Sequence, residues 1–260
     1  MRRIHFFELE DQHWMPVTIR NGITNFLQFA VDHGDLYQRF AIRLAAALRH
    51  TQTTQVIDLC SGGGGPLKSL MKHIPELEKG DIKLHLTDYY PNLPAFTRLA
   101  TSSPQCFSYS SEPVSALDVP TSLQGFRTLF SSFHHFDKPA ATKILQDAII
   151  KKQGIAIAES TQRHILLLAY MLLTPLLVLL TSPFQKPFRW SRLFWTYIIP
   201  IVPFAVAFDG FVSCLRTYTP EELMDMVHSI PGHEVYEWQA GIEKIGILPV
   251  GVTYLIGYPR

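Results

Sequence analysis

The residues able to do chemistry gather first around a run of glycines. Asp58 closes the apolar stretch Val56-Ile57. Cys60 follows, and Gly62-Gly63-Gly64-Gly65 then leads into Pro66-Leu67-Lys68-Ser69-Leu70-Met71. Glycines leave the backbone bare, and the start of a helix presents N–H groups without partners, so a ligand can lie directly on main-chain amides there. Pro66 suits the first helical position, where a missing N–H is no loss. Downstream, Asp88 ends the stretch from Ile82, and a carboxylate at such a strand end is a good acceptor for two vicinal hydroxyls. His134 and His135 stand together after Phe126–Phe130, and imidazole is the side chain best suited to move a proton near neutral pH. The pattern is that of a nucleotide-binding turn in an α/β domain. No metal site is expected from the histidine pair, because adjacent side chains diverge and no third ligand motif is visible.

The glycine turn excludes two nucleotide classes. A phosphate-binding loop of the Walker type ends in Gly-Lys-Ser/Thr, and Lys68 stands too far past the glycines. A dinucleotide fingerprint counted from Gly62 places Leu67 where its third glycine belongs. What remains, Asp58-x-Cys60-x-Gly62-x-Gly64, resembles the first motif of class I S-adenosylmethionine-dependent methyltransferases.

That resemblance implies roles for named residues. Asp58, Cys60, Gly62, Gly63 and Gly64 would form the turn under the methionine part of the cofactor. Asp88 would bind the ribose hydroxyls, and Tyr89 would lie against the adenine. Asp118, in Val114-Ser-Ala-Leu-Asp-Val119, resembles the third motif, whose acid meets the adenine amino group. Ser132 joins the cofactor set. It begins Ser132-Phe-His-His-Phe136, a type of sequence that recurs after the fourth strand of small-molecule methyltransferases. His134 is the candidate general base. Glu159 reads equally as a base or a helix cap, and Trp14, Arg20, Tyr37 and His135 are candidates for contact with the acceptor.

These residues need elements to hold them. Apolar runs predict strands at Val56–Asp58, Ile82–Asp88, Phe126–Phe130 and Gly154–Glu159, with a closing antiparallel pair at Glu234–Trp238 and Val252–Gly257. Helical periodicity covers about 19–30 and 36–48. The expected fold is a three-layer α/β/α Rossmann-like sandwich with a mostly parallel seven-stranded sheet. Residues 1–50 would form N-terminal cap helices, and 51–260 a methyltransferase domain carrying an apolar insertion at 164–210.

The insertion is the second unusual feature. From Ile165 to Phe208 the only charges are Lys186, Arg189 and Arg192. The first apolar run, Ile165–Leu180, approaches the length of a membrane span, and the second is broken by Pro200 and Pro203. A crossing hairpin would carry three cations through the membrane, against the positive-inside tendency. It reads instead as a lid over a greasy substrate, as an element dipping into one leaflet beside Trp190, or as a buried core hairpin.

Composition adds bounds. A chain of 260 residues suffices for one large domain, and a net charge of +1 implies no polyanionic partner. Cys60, Cys106 and Cys214 show no pairing or metal spacing and fit a reducing, cytosolic compartment. The N-terminus has no secretory hydrophobic region. The expected function is methyl transfer from S-adenosylmethionine to a small, hydrophobic or lipid-like acceptor, cytoplasmic or peripheral on a membrane's cytosolic face. The alternatives are a non-catalytic nucleotide-binding module at a membrane surface and a nicotinamide-dependent reductase. The missing third glycine speaks against the reductase. No basic stripe supports nucleic-acid binding.

Overall fold

The stretches Val56–Asp58, Phe126–Phe130 and Ile155–Glu159 are buried at every position, because helices cover both faces of the strands they form. The computed structural model describes residues 1–246 and 248–260. In chain order the elements are α1 (Val17–Gly34), α2 (Gln38–His50), β1 (Gln55–Asp58), α3 (Leu67–Met71), α4 (Pro75–Glu78), β2 (Lys83–Leu86), α5 (Leu93–Ser102), β3 (Phe107–Tyr109), β4 (Phe126–Phe130), α6 (Lys138–Ile150) and β5 (Ile155–Glu159). They continue with α7 (Ile165–Met171), α8 (Thr174–Thr181), α9 (Trp190–Leu193), α10 (Ile201–Arg216), α11 (Pro220–His228), β6 (Tyr236–Lys244) and β7 (Gly251–Pro259).

The seven strands form one sheet in the order β3-β2-β1-β4-β5-β7-β6. Strands β1 to β5 run parallel, and β7 and β6 close the edge antiparallel. One face packs on α2, α3 and α5 through Phe40, Leu44, Leu70 and Phe96. The other packs on α6 and α11 through Ile144, Leu145, Leu223 and Met226. This is the expected Rossmann-like sandwich with its mostly parallel sheet.

Several details differ from expectation. The third strand is Phe107–Tyr109, a segment for which no strand was expected. Pro66 is the cap residue before α3 rather than its first helical residue. The two N-terminal helices have separate attachments: α2 belongs to the sheet core. Helix α1 packs Ile19, Ile23 and Phe26 on Val178, Val202 and Val206 of the insertion. The insertion is not a buried hairpin. Leu173, Leu176, Leu180 and Phe204 are exposed along it, and a π-helical turn at Phe194–Ile198 breaks its second limb. Asp209, the acid that ends the apolar run, accepts from the Leu9 and Glu10 amides at 2.6 and 3.0 Å, and so pins the N-terminal segment to α10.

Candidate functional site

The C-terminal ends of β1, β2, β4 and β5 converge where the chain turns through its glycines. The turn is sewn into the sheet by its own backbone. Leu59 N–H donates to the Thr128 carbonyl at 2.8 Å, and Ser61 N–H to the Thr87 carbonyl at 2.9 Å. Cys60, Gly62, Gly64 and Gly65 all adopt positive φ, which glycine does without the strain a side chain brings. Gly62, at φ +52°, has open space where a Cβ would stand, whereas a Cβ on Gly64 would meet Leu99 at 2.4 Å.

Asp88 closes the site from β2. Its carboxylate accepts from Gly62 N–H at 2.8 Å through Oδ2 and from Tyr90 N–H at 2.8 Å through Oδ1. Burial raises its pKa, against those backbone donors. Tyr89 stands exposed beside it. Helix α1 lies over the turn: Gln28 Nε2 donates to the Gly65 carbonyl at 3.0 Å. Beneath the turn, Asp58 is buried and accepts from the Thr128 hydroxyl at 2.7 Å, and burial pushes its carboxyl up to about 7. Asp58 therefore braces β1 against β4 from below the turn.

The second half of the site is a buried ionic cluster. Glu159 Oε1 accepts from the Ser132 and Phe133 amides at 3.1 and 2.7 Å, and Oε2 meets His134 Nδ1 at 2.6 Å. Glu159 thus holds His134 and also caps the start of the helical turn Phe133–His135. On its other side, His134 Nε2 faces Glu8 at 3.6 Å. His134 is buried between two carboxylates and has no open face. His135 pairs with Asp11 at 3.1 Å and Glu8 at 3.4 Å. Burial opposes its charge, but the Asp11 hydrogen bond and the two carboxylates outweigh it and push His135 up to about 9. Arg216 stands 3.3 Å from both Glu8 and Asp11 and donates to the His134 and His135 carbonyls.

Glu8, His134 and His135 bring donor atoms within 4.8 Å of one another, so the third ligand invisible in the sequence does exist in space. Arg216 stands 3.3 Å from Glu8, so a cation already neighbours this donor set.

The sequence-derived candidates fall into two groups. Gly62, Gly63, Gly64, Cys60, Asp88, Tyr89, Ser132 and the His134–Glu159 pair come together, with Asp58 beneath them. Asp118 does not. It is exposed and pairs with Lys151 at 2.7 Å, just beyond the end of α6 and away from the glycine turn. Arg20 donates to the Glu10 and Gln12 carbonyls at 3.0 and 2.8 Å and fastens the N-terminal segment. Tyr37 is buried, and its hydroxyl shares a hydrogen bond with Ser131 at 2.7 Å. Trp14 points to solvent. His135 is consumed by its ion pairs. Glu8 and Arg216 were missed. The only signal was an acid set among aromatics at Phe6-Phe7-Glu8.

A cofactor of the expected kind fits what is present. Gly62 offers open space over a bare backbone, and among the described residues the buried Ser132 hydroxyl has no hydrogen-bond partner closer than the Cys60 thiol beside it.

No protein-family model matches the sequence, and no curated protein matches it. Solved structures do match its fold. The plantazolicin methyltransferase BpumL in complex with SAH aligns over 97% of this chain and 94% of its own, with a TM-score of 0.58 and 10% identity. Human N-acetylserotonin methyltransferase in complex with SAM aligns over 91% of this chain and 55% of its own, with a TM-score of 0.51 and 13% identity. An O-methyltransferase family protein from Burkholderia thailandensis aligns over 89% of this chain, with a TM-score of 0.50 and 14% identity, and the match spans 60% of that protein's length. The chain has the class I, Rossmann-like methyltransferase fold.

Proposed function

We propose that the protein transfers a methyl group from S-adenosylmethionine to a small hydrophobic acceptor. The observation that carries this reading is the pairing of Gly62 with Asp88 at the ends of β1 and β2, under α1. Cys60 and Gly62 to Gly64 would hold the methionine part, Asp88 the ribose hydroxyls, and Tyr89 the adenine. Ser132 would add a polar contact through its hydroxyl. The cofactor supplies a methyl group already activated on a sulfonium. The chain's own task is to bind the acceptor, align it and exclude water.

An apolar groove of about 480 Å³ between the N-terminal segment and α10, lined by Phe7, Leu9, Ile201 and Phe208 among others, supports a hydrophobic acceptor. Phe7 and Leu9 face this groove, while Glu8 between them turns inward to His134. The groove and the ionic cluster are thus the two sides of one extended segment. For an acceptor that starts protonated, His134 held by Glu159 is the candidate base.

Calorimetric titration with S-adenosylmethionine and S-adenosylhomocysteine tests the cofactor. Micromolar binding that Asp88→Ala abolishes is the expected result, and no binding by the wild type overturns the reading. The enclosure of His134 favours a second reading, a non-catalytic cofactor-binding module. Release of S-adenosylhomocysteine in the presence of lipophilic phenols or a lipid extract excludes it.

A further inference from the structure

We propose that the insertion between β5 and α11 docks into one leaflet of a bilayer with anionic headgroups. The proposal rests on this surface alone and not on the methyl-transfer reading. Residues 165–208 contain no acid. Of their three cations, Arg192 is buried and donates to the Ser182, Gln185 and Pro187 carbonyls, which fixes the shape of the tip. Lys186 and Arg189 are exposed at that tip. Beside them stand Phe184, 73% exposed, and Trp190, 78% exposed. Behind the tip, Leu173, Leu176 and Leu180 are exposed at the spacing that puts them on one side of α8.

A helix facing water carries polar residues at such positions, and contiguous apolar surface on this scale marks an interaction site. The charge pattern selects the partner. Charges at protein interfaces are arranged to complement a partner's of opposite sign, whereas here every charge in the segment is positive and is set among aromatic side chains. That combination suits lipid phosphates, with the Lys and Arg stems and the Trp ring spanning the boundary between headgroup and acyl chain.

The geometry sets the depth. Among the described residues no single helix is long and apolar enough to cross a membrane. Two apolar pairs are bent instead, Ile165–Met171 with Thr174–Phe184 by 44°, and Trp190–Ile198 with Ile201–Arg216 by 81°. The limb Thr174–Phe184 is about 16 Å long at ~1.5 Å per residue, about half of a hydrocarbon core ~30 Å thick. Both ends of the insertion return to the same sheet domain, so the segment enters a leaflet and turns back.

Co-sedimentation of the full chain with vesicles of phosphatidylcholine alone, and of phosphatidylcholine mixed with phosphatidylglycerol, tests this. The wild type is expected to sediment with the mixed vesicles. The double variant Lys186→Gln/Arg189→Gln should bind them roughly 30-fold more weakly. Leu180→Asp/Phe184→Asp should lose binding to the mixed vesicles, and because both side chains are exposed its thermal melt should match the wild type's. The proposal is overturned if the wild type stays in the supernatant with both vesicle types, or if both variants sediment as it does. A concentration-dependent dimer that Leu180→Asp/Phe184→Asp dissolves, with no vesicle binding, would assign the surface to a second copy and equally overturn it.

Discussion

Gly62 N–H donates to Asp88 Oδ2 at 2.8 Å, so the acid that ends the second strand region is seated on the turn that follows the first. The bond ties two loops of the same edge into one rigid unit before any ligand arrives. Asp88→Ala should therefore loosen the unliganded protein as well as weaken cofactor binding. A hydrogen bond to a charged group contributes about 1.5–3 kcal/mol, and a melt of the ligand-free variant measures the loss.

His135 gives the protein a pH signature. Its folded-state pKa, about 9, lies above the ordinary value of 6.5. The stabilisation is therefore complete below about pH 6.5 and is lost as pH rises through 9. Glu10 and Asp58, pushed up to about 7 by burial, lose their contributions earlier, between their ordinary values and pH 7. The melting temperature should fall between pH 7 and 9, and His135→Gln should flatten that fall.

His134→Gln keeps a hydrogen-bonding side chain beside Glu159 and removes the titrating ring. If His134 takes the acceptor's proton, turnover should fall by about 100-fold or more, with S-adenosylhomocysteine affinity unchanged. Unchanged turnover would leave His134 as a structural tie between Glu159 and Glu8.

Near the start of β4, at the centre of the sheet, buried Arg127 donates to Asp147 at 2.7 Å, while among the described residues its other two guanidinium nitrogens have no partner. Asp147→Ala strands that charge in the interior and should destabilise the fold by about 3–5 kcal/mol. Chemical denaturation of the pure variant reads this directly.

What could be read in the sequence depended on how local the physics is. The glycine turn, Asp88 and the central strands were legible because their signals lie in a few consecutive residues. The third strand gave no signal because Phe107–Tyr109 is only three residues long. Asp118 was placed by its resemblance to a motif alone, with no strand to anchor it. The bonds that enclose His134 were invisible, since Glu8 and Arg216 meet it only after the N-terminal segment has crossed to α10. Uniform hydrophobicity also hid which side of the insertion faces outward, because no polar stripe marked the exposed face.

Helix α1 presses Ile19, Ile23 and Phe26 on the insertion and reaches Gly65 with Gln28. A single helix thus touches both the insertion and the glycine turn. Occupancy at the glycine turn and engagement of the insertion would each help to hold it in place. Coupling of that kind is reciprocal: whatever factor one event adds to the affinity of the other is returned in full. The helix would make the protein a coincidence detector, tightest on its cofactor where it also finds its surface.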